Sequence, residues 1–321
     1  MRRLPGGRER MKRILSLLFA VLFVLAASGC ATDSVSDDGK LHVVTTTFPA
    51  YDFARAVVGD AGTVTMLITP GTETHSYDPT PRDIRKIQSC DLFIYGGGES
   101  DAWMDTILSS IDTAGIKVLA MTDAANLLQE EHIHNPDEEE ADHTEGAYDE
   151  HVWTSPANAA AIVGAVRDAV RTIDPANADV YTRQAEAYID AITALDADFA
   201  ALVQGAQQKT VLFADRFPFL YFVERYGLSY YAAYPGCAEK TEPGPKTVAY
   251  LIDMVKNDGI PVVFYTEFSD QRLADAICEN TDAVKLLFHS CHNVSGEDFK
   301  AGETYVSLMR KNLTNLRKAL Y

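Results

Sequence analysis

Residues 174–206, "DPANADVYTRQAEAYIDAITALDADFAALVQGA", carry apolar side chains at Tyr181, Ala185, Tyr188, Ile192, Leu195, Phe199 and Leu202. Steps of three and four put all of these on one helical stripe. Asp174 and Pro175 supply a cap and a first helical residue. A helix of about 30 residues, rising 1.5 Å per residue, reaches about 45 Å. An element that long can cross from one domain to another as a stiff strut. A shorter helix precedes it, in "SPANAAAIVGAVRDAVRTI", opened by Ser155 and Pro156.

On each side of this helical region, strand-like and helical runs alternate. Before it come strands at 41–47, 63–68, 91–97 and 116–121, with helical patterns at 49–58, 81–90 and 101–112. After it come strands at 210–214, 228–234, 261–267 and 283–289, with helices near 217–227, 245–257, 269–280 and 297–320. Such alternation predicts parallel sheets covered by helices. The expected fold is α/β: two lobes, each a parallel sheet flanked by helices, joined by one long rigid helix. The expected boundaries are 41–173 for the first lobe, 174–206 for the linking helix and 207–321 for the second lobe.

The first 30 residues are of another kind. Six basic residues between Arg2 and Arg13 precede an apolar run from Ile14 to Ala27, and "SGC" ends at Cys30. That is the pattern of a secretory signal, with Met1 or Met11 as its start. The run is short for a membrane span, which needs about 20 apolar residues. Cys30 after "ASG" resembles a lipobox, with Ala27 in place of the usual Leu. Residues 1–30 are expected to be a signal peptide, Cys30 to carry lipid, and 31–40 to form a flexible tether. Residues 1–29 hold six of the 28 basic residues and one of the 46 acidic ones, so the remainder carries a formal charge of −23. Such acidity disfavours nucleic acid and suits cations.

The acid is concentrated. Between Glu130 and Trp153, "EEHIHNPDEEEADHTEGAYDEHVW" holds four of the eight histidines and ten carboxylates, with no Lys or Arg. His132, His134 and His143 in the loop 130–150 read as an open, weak metal trap that raises the local cation concentration. An alternative reading is a solvated insertion with no role in transport. Ligand sites in open α/β sheets lie past the carboxyl ends of strands. His75, His151, Asp215 with Arg216, Glu267 and His289 all sit there, supplied by both halves. His289 and His292 alternate with the strand period. Four cysteines remain beyond Cys30. Cys237, Cys278 and Cys291 share the C-terminal third, where export permits a bridge, while Cys90 lies in the first half; the pairing stays open. There is no C-x-x-C.

"VVTTTFPAYDFARAVVGD", "LITPGTETHSYDPTPRDIRKIQSCDLFIYGGGESDAW", "DEHVWTSPANA", "YFVERYGL" and "GETYVSLMRKN" resemble the zinc/manganese solute-binding lipoproteins of bacterial ATP-binding-cassette importers. The likeness spans nearly the whole chain after the signal segment. It implies two lobes with a metal between them. Carried over by position, His75 matches the first ligand and His151 the second. The third is ordinarily a His in a segment like "HDAFGYF". Here the chain reads "ADRFPFLYF", so Asp215 is the nearest donor, Glu267 an alternative, and Arg216 a competitor for the slot. His289 stands where the fourth ligand, ordinarily Asp, is expected.

Imidazoles with one carboxylate suit four-coordinate Zn(II), whereas manganese prefers more oxygen donors. The expected function is an extracytoplasmic, lipid-anchored, monomeric zinc receptor on the bacterial cell membrane, handing Zn(II) to an ABC transporter permease. A manganese receptor of the same family is one alternative. A zinc hydrolase is another, although H-E-x-x-H and G-x-S-x-G are both absent. A surface lipoprotein devoted to cell adhesion is the third. Capture without catalysis fits the ligand pattern best.

Overall fold

The computed structural model describes residues 39–74, 77–98, 101–130, 136, 148–236 and 244–321. The signal segment, Cys30, residues 31–38 of the tether, His75, His132, His134, His143 and Cys237 lie outside the described residues. Among the described residues no helix is long and apolar enough to cross a membrane.

The first sheet is built from β1 (Leu41–Thr45), β2 (Gly62–Met66), β3 (Leu92–Tyr95) and β4 (Lys117–Ala120). All its pairings are parallel, in the order β2-β1-β3-β4. Runs such as Leu92–Tyr95, "LFIY", are apolar on both faces, as a strand covered from both sides requires. The helices α1 (Phe48–Val58), α2 (Pro81–Gln88) and α3 (Trp103–Ser110) follow successive strands. Thr80 starts α2 with a reciprocal cap: its hydroxyl accepts from Asp83 N at 3.3 Å, and Asp83 Oδ2 accepts from Thr80 N at 3.1 Å.

Two helices come next, α4 (Pro156–Ile173) and the long α5 (Ala178–Gly205). The 28 residues of α5 span about 42 Å. A turn of tighter helix over Pro175–Asn177 precedes α5. Asp174 Oδ2 there accepts from Tyr181 Oη and from Asn177 Nδ2, both at 2.7 Å, instead of capping the helix backbone.

The second sheet repeats the topology of the first with β5 (Thr210–Phe217), β6 (Ser229–Pro235), β7 (Val262–Tyr265) and β8 (Val284–Leu287), in the order β6-β5-β7-β8. Its helices are α6 (Leu220–Tyr226), α7 (Pro245–Asp258) and α8 (Arg272–Glu279). The chain ends in α9 (Gly296–Ala301) and α10 (Tyr305–Leu320). The sequence pattern predicts a single helix over 297–320. It is divided because Gly302 takes a left-handed φ of 77°, after which Thr304 caps α10 through Ser307 N at 3.0 Å.

The strut does not join two independent cores. The main cluster of buried side chains runs from Leu41, Phe53 and Trp153, through Tyr181, Ile192 and Phe199 on α5, to Phe213, Phe264 and Phe288 of the second half. Smaller clusters back each sheet separately. At the centre, Asp52 of α1 is almost wholly buried and accepts from the Tyr188 hydroxyl of α5 and from Tyr305 N of α10 at 2.9 Å. Arg55 completes the knot, donating to Asp52 Oδ1 at 2.8 Å and to the Glu303 carbonyl at 2.7 Å.

The cysteine expectation changes. Cys90, Cys278 and Cys291 carry free thiols. Cys291 is sealed in the main cluster, while Cys278 packs against the cluster of the second sheet, so no bridge joins these two.

Candidate metal centre

Both sheets reverse strand order between their first and third strands, and the carboxyl ends of such pairs are where ligand crevices form. A cavity of about 280 Å³ lies there, walled by Glu73 and Thr74 after β2, His151 before α4, Asp215 and Arg216 on β5, Thr266 and Glu267 after β7, and Ser290 and His292 after β8.

His151 is completely buried at the end of the acidic loop. Asp149 fixes it twice with one oxygen: Oδ1 accepts from His151 N at 2.7 Å and from Nδ1 at 2.9 Å. A carboxylate oxygen can only accept, so Nδ1 carries the proton and Nε2 is the basic nitrogen. Burial alone would depress this imidazole, but the Asp149 charge outweighs it and the pKa is raised. The Tyr221 hydroxyl of α6 donates to the Asp149 carbonyl at 2.7 Å and accepts from Leu128 N at 3.1 Å. The second half of the chain therefore positions a histidine contributed by the first.

His292 completes the pair. Its ring stands edge to face with His151, centroids 5.2 Å apart and planes at 90°, and it tilts against Trp153 at 4.9 Å. Its Nδ1 lies 3.1 Å from the Thr74 hydroxyl. The Trp153 indole donates to the Ser290 carbonyl at 3.0 Å, tying the two histidine-bearing segments together. Asn293 Nδ2 reaches the carbonyls of Thr69 and Thr72 at 3.0 and 2.8 Å, which anchors the loop that runs on to His75 in the sequence.

His289 lies behind this wall, not on it. Its backbone is clasped by Asn312 of α10, with His289 N donating to Asn312 Oδ1 and Asn312 Nδ2 donating to the His289 carbonyl, both at 2.7 Å. Its Nδ1 accepts from Cys291 N at 2.9 Å and lies 3.6 Å from Glu267. Among the described residues its buried Nε2 has no hydrogen-bond partner.

Two of the carboxylates on the wall are spoken for. Asp215 Oδ2 accepts from Thr266 N at 3.0 Å and Thr266 Oγ1 at 2.7 Å, and its Oδ1 from Arg216 N at 2.8 Å. Glu267 takes Ser290 Oγ at 2.6 Å and Ser290 N at 2.9 Å. The pairing of β5 with β6 shifts register between Phe213 and Arg216, an irregularity that redirects side chains at a strand end. Through it Arg216 reaches across the cleft, with NH1 3.3 Å from Glu73. Among the described residues no group of three or more His, Cys, Asp or Glu side chains is gathered closely enough to hold a cation.

Residues 43–319 match the family model of ZnuA, described as the zinc-uptake complex component A, periplasmic. The chain belongs to the ZnuA family. It is 33% identical over 314 residues to the zinc-binding lipoprotein AdcA of Streptococcus pneumoniae, an alignment that covers 96% of this chain and 61% of that relative. The chain thus spans about three-fifths of the AdcA relatives it matches. The high-affinity zinc uptake system protein ZnuA of Bacillus subtilis is 28% identical over 310 residues, covering 95% of this chain and 97% of the relative. Among solved structures, the Zn(II)-bound ZnuA-like domain of the pneumococcal AdcA matches with a TM-score of 0.74 at 31% identity, over 88% of this chain and 99% of that one. The two-lobe α/β architecture is that of the family.

Within this family frame, the sequence pattern pointed to neither Asp149 nor Glu73, and it set His292 beside His289 without making it a ligand. The "HSCH" run offered both histidines. Between them the backbone of Cys291 takes a left-handed φ of 60°, and of the two only His292 lines the cavity.

Proposed function

We propose that this protein is an extracytoplasmic receptor that captures Zn(II) and delivers it to an ABC transporter permease, acting as a monomer held to the membrane through lipid on Cys30. The observation that supports this most is the packing of two buried imidazoles, His151 and His292, against each other at the wall of a cavity between two parallel sheets. A chain-spanning family match to a zinc-uptake component fixes the direction of that chemistry.

His151 and His292 are the proposed donors from the described residues, with His75, which directly follows Thr74, as a third. Three imidazoles are a common zinc donor set and a poor one for manganese. Asp215 and Glu267 serve as structural carboxylates here, given the hydrogen bonds that occupy them. His132, His134 and His143 act as the collecting tract ahead of the site. The first lobe, 41–173, and the second, 207–321, meet along the 174–206 helix, with the ion between them.

Competition against a chromophoric zinc chelator tests the reading. The native protein takes up one zinc tightly; H151A and H292A lose that site. Release of peptide, ester or phosphate products by the zinc-loaded protein would favour the hydrolase alternative.

A further inference from the structure

We infer that the loop after β8 belongs mechanically to the first lobe, so that His151 and His292 form one rigid half of the cleft, and that the cleft opens by movement of the opposite wall, which carries Asp215 and Arg216. It rests on the receptor reading above only for what closes the cleft.

The chain passes from one lobe to the other at Ser290. On its near side the second lobe holds it, with Ser290 N and Oγ donating to Glu267 at 2.9 and 2.6 Å. Beyond that point the first lobe takes over. The Trp153 indole donates to the Ser290 carbonyl at 3.0 Å, Phe48 N at the head of α1 to the His292 carbonyl at 3.3 Å, and Gly71 N to the Val294 carbonyl at 2.7 Å. Asn293 Nδ2 donates to the carbonyls of Thr69 and Thr72. The graft continues into α9 and the start of α10. The Phe299 ring lies 5.4 Å from that of Tyr51, the Glu303 carbonyl accepts from Arg55 at 2.7 Å, and Tyr305 donates through N to Asp52 and through Oη to the Trp153 carbonyl. At the change-over stands Cys291 with its left-handed φ of 60°. A side-chain-bearing residue keeps such a backbone only where its surroundings over-determine it. Here the two lobes hold the chain on either side of it.

The opposite wall is held differently. Arg216 of β5 meets Glu73 of the first lobe at 3.3 Å, on a rim where Glu73 is exposed. Behind the wall, α7 and α8 pack on the sheet through a cluster of their own that includes Leu251, Val255 and Ile277. The neighbours of this wall stay put. Tyr226 ties α6 to the strut, donating to Asp196 at 2.7 Å. Asn315 and Asn312 of α10 donate to the carbonyls of Leu287 and His289 at 2.8 and 2.7 Å, which pins β8. The sheet therefore flexes from its β8 edge, and β5 and β6, at the far side, travel furthest. Wide separation of the lobes would expose the core they share along α5. A small sliding of packed elements over that core is the motion left, the shear class of domain closure. It carries Asp215 and Arg216 towards or away from two imidazoles whose spacing does not change.

Pulsed electron paramagnetic resonance tests the partition. Nitroxides carried on p-acetylphenylalanine, which spares the native cysteines, are placed in pairs at Arg85 on α2, Lys300 on α9 and Lys256 on α7, all exposed. In the metal-free protein the Arg85–Lys300 distance should be narrowly distributed, and both pairs that include Lys256 should be broader. On adding one equivalent of zinc, with uptake followed by chelator competition, the Lys256 pairs should narrow and shift together while Arg85–Lys300 stays as it was. Equal widths for all three pairs in the metal-free protein overturn the inference, because no wall then moves. An Arg85–Lys300 distance that shifts with zinc also overturns it, because the loop then travels with the second lobe, and so do Lys256 pairs indifferent to bound zinc. A protein that takes up no zinc would sink the receptor reading, while the metal-free widths would still decide this one.

Discussion

His151 and His292 lie 141 positions apart in sequence, yet their rings meet edge to face with centroids 5.2 Å apart. One comes from the segment entering α4, the other from the loop leaving β8. Neither half of the chain alone makes the pair. Removing either imidazole should therefore abolish tight zinc binding without unfolding the protein. Even groups that merely orient a ligand are worth about 10–100-fold in metal affinity, so H151A and H292A should each weaken zinc by more than about 100-fold. Chelator competition, with circular dichroism as a folding control, checks this.

Asp149 offers a finer measurement. Its Oδ1 receives both the backbone and the ring nitrogen of His151, at 2.7 and 2.9 Å. It holds the ring and sets which nitrogen is basic. D149N presents an acceptor and a donor of similar shape but no charge. It should lower zinc affinity by about 10–100-fold, less than loss of the imidazole itself. An affinity equal to native would show that the carboxylate is dispensable for orientation.

His289 and Asn312 should separate stability from binding. Asn312 makes two 2.7 Å hydrogen bonds to the His289 backbone inside the core. N312A strands a buried N–H and a buried carbonyl, at about 1–3 kcal/mol each. Chemical denaturation should show a loss of about 3 kcal/mol. H289A, by contrast, should change zinc affinity by less than about tenfold, because that ring does not reach the cavity wall. A loss as large as that of H292A would restore His289 as a ligand.

The relation between sequence and structure here follows the range of the forces involved. The α/β alternation, the parallel sheets it implies and the α5 stripe at Tyr181, Ile192, Leu195, Phe199 and Leu202 were legible because they depend on local periodicity. The place of His151 on the cavity wall was legible because "DEHVW" combines a resemblance with position past a strand. That His292 and not His289 lines the cavity was not legible, because a left-handed residue, Cys291, lies between them and carries no glycine signal. Arg216 was visible as an oddity, but its partner Glu73 lies 143 positions away and is brought close only by the packing of the two sheets. The shared core was also hidden: periodicity shows that α5 has an apolar face, not that the same face serves both halves.

Acid should find the start of α2. Burial alone would raise Asp83, but the Thr80 hydroxyl, the Lys86 ammonium and the Thr80 N–H hold its carboxyl down at about 2. Lys86 Nζ lies 2.9 Å away. Since an unfolded Asp titrates near 3.9, the folded state binds this proton less readily than the unfolded one. The contribution is therefore fully present above about pH 4 and is lost as pH falls through the folded value. D83N keeps the size of the side chain and removes the charge. It should cost about 1 kcal/mol at pH 7, within the range of a lost helix cap, and the gap from native should close between pH 4 and pH 2. Thermal melts of both proteins across that interval decide it. A gap of constant size would mean that the carboxylate charge contributes nothing and that only shape matters at this cap.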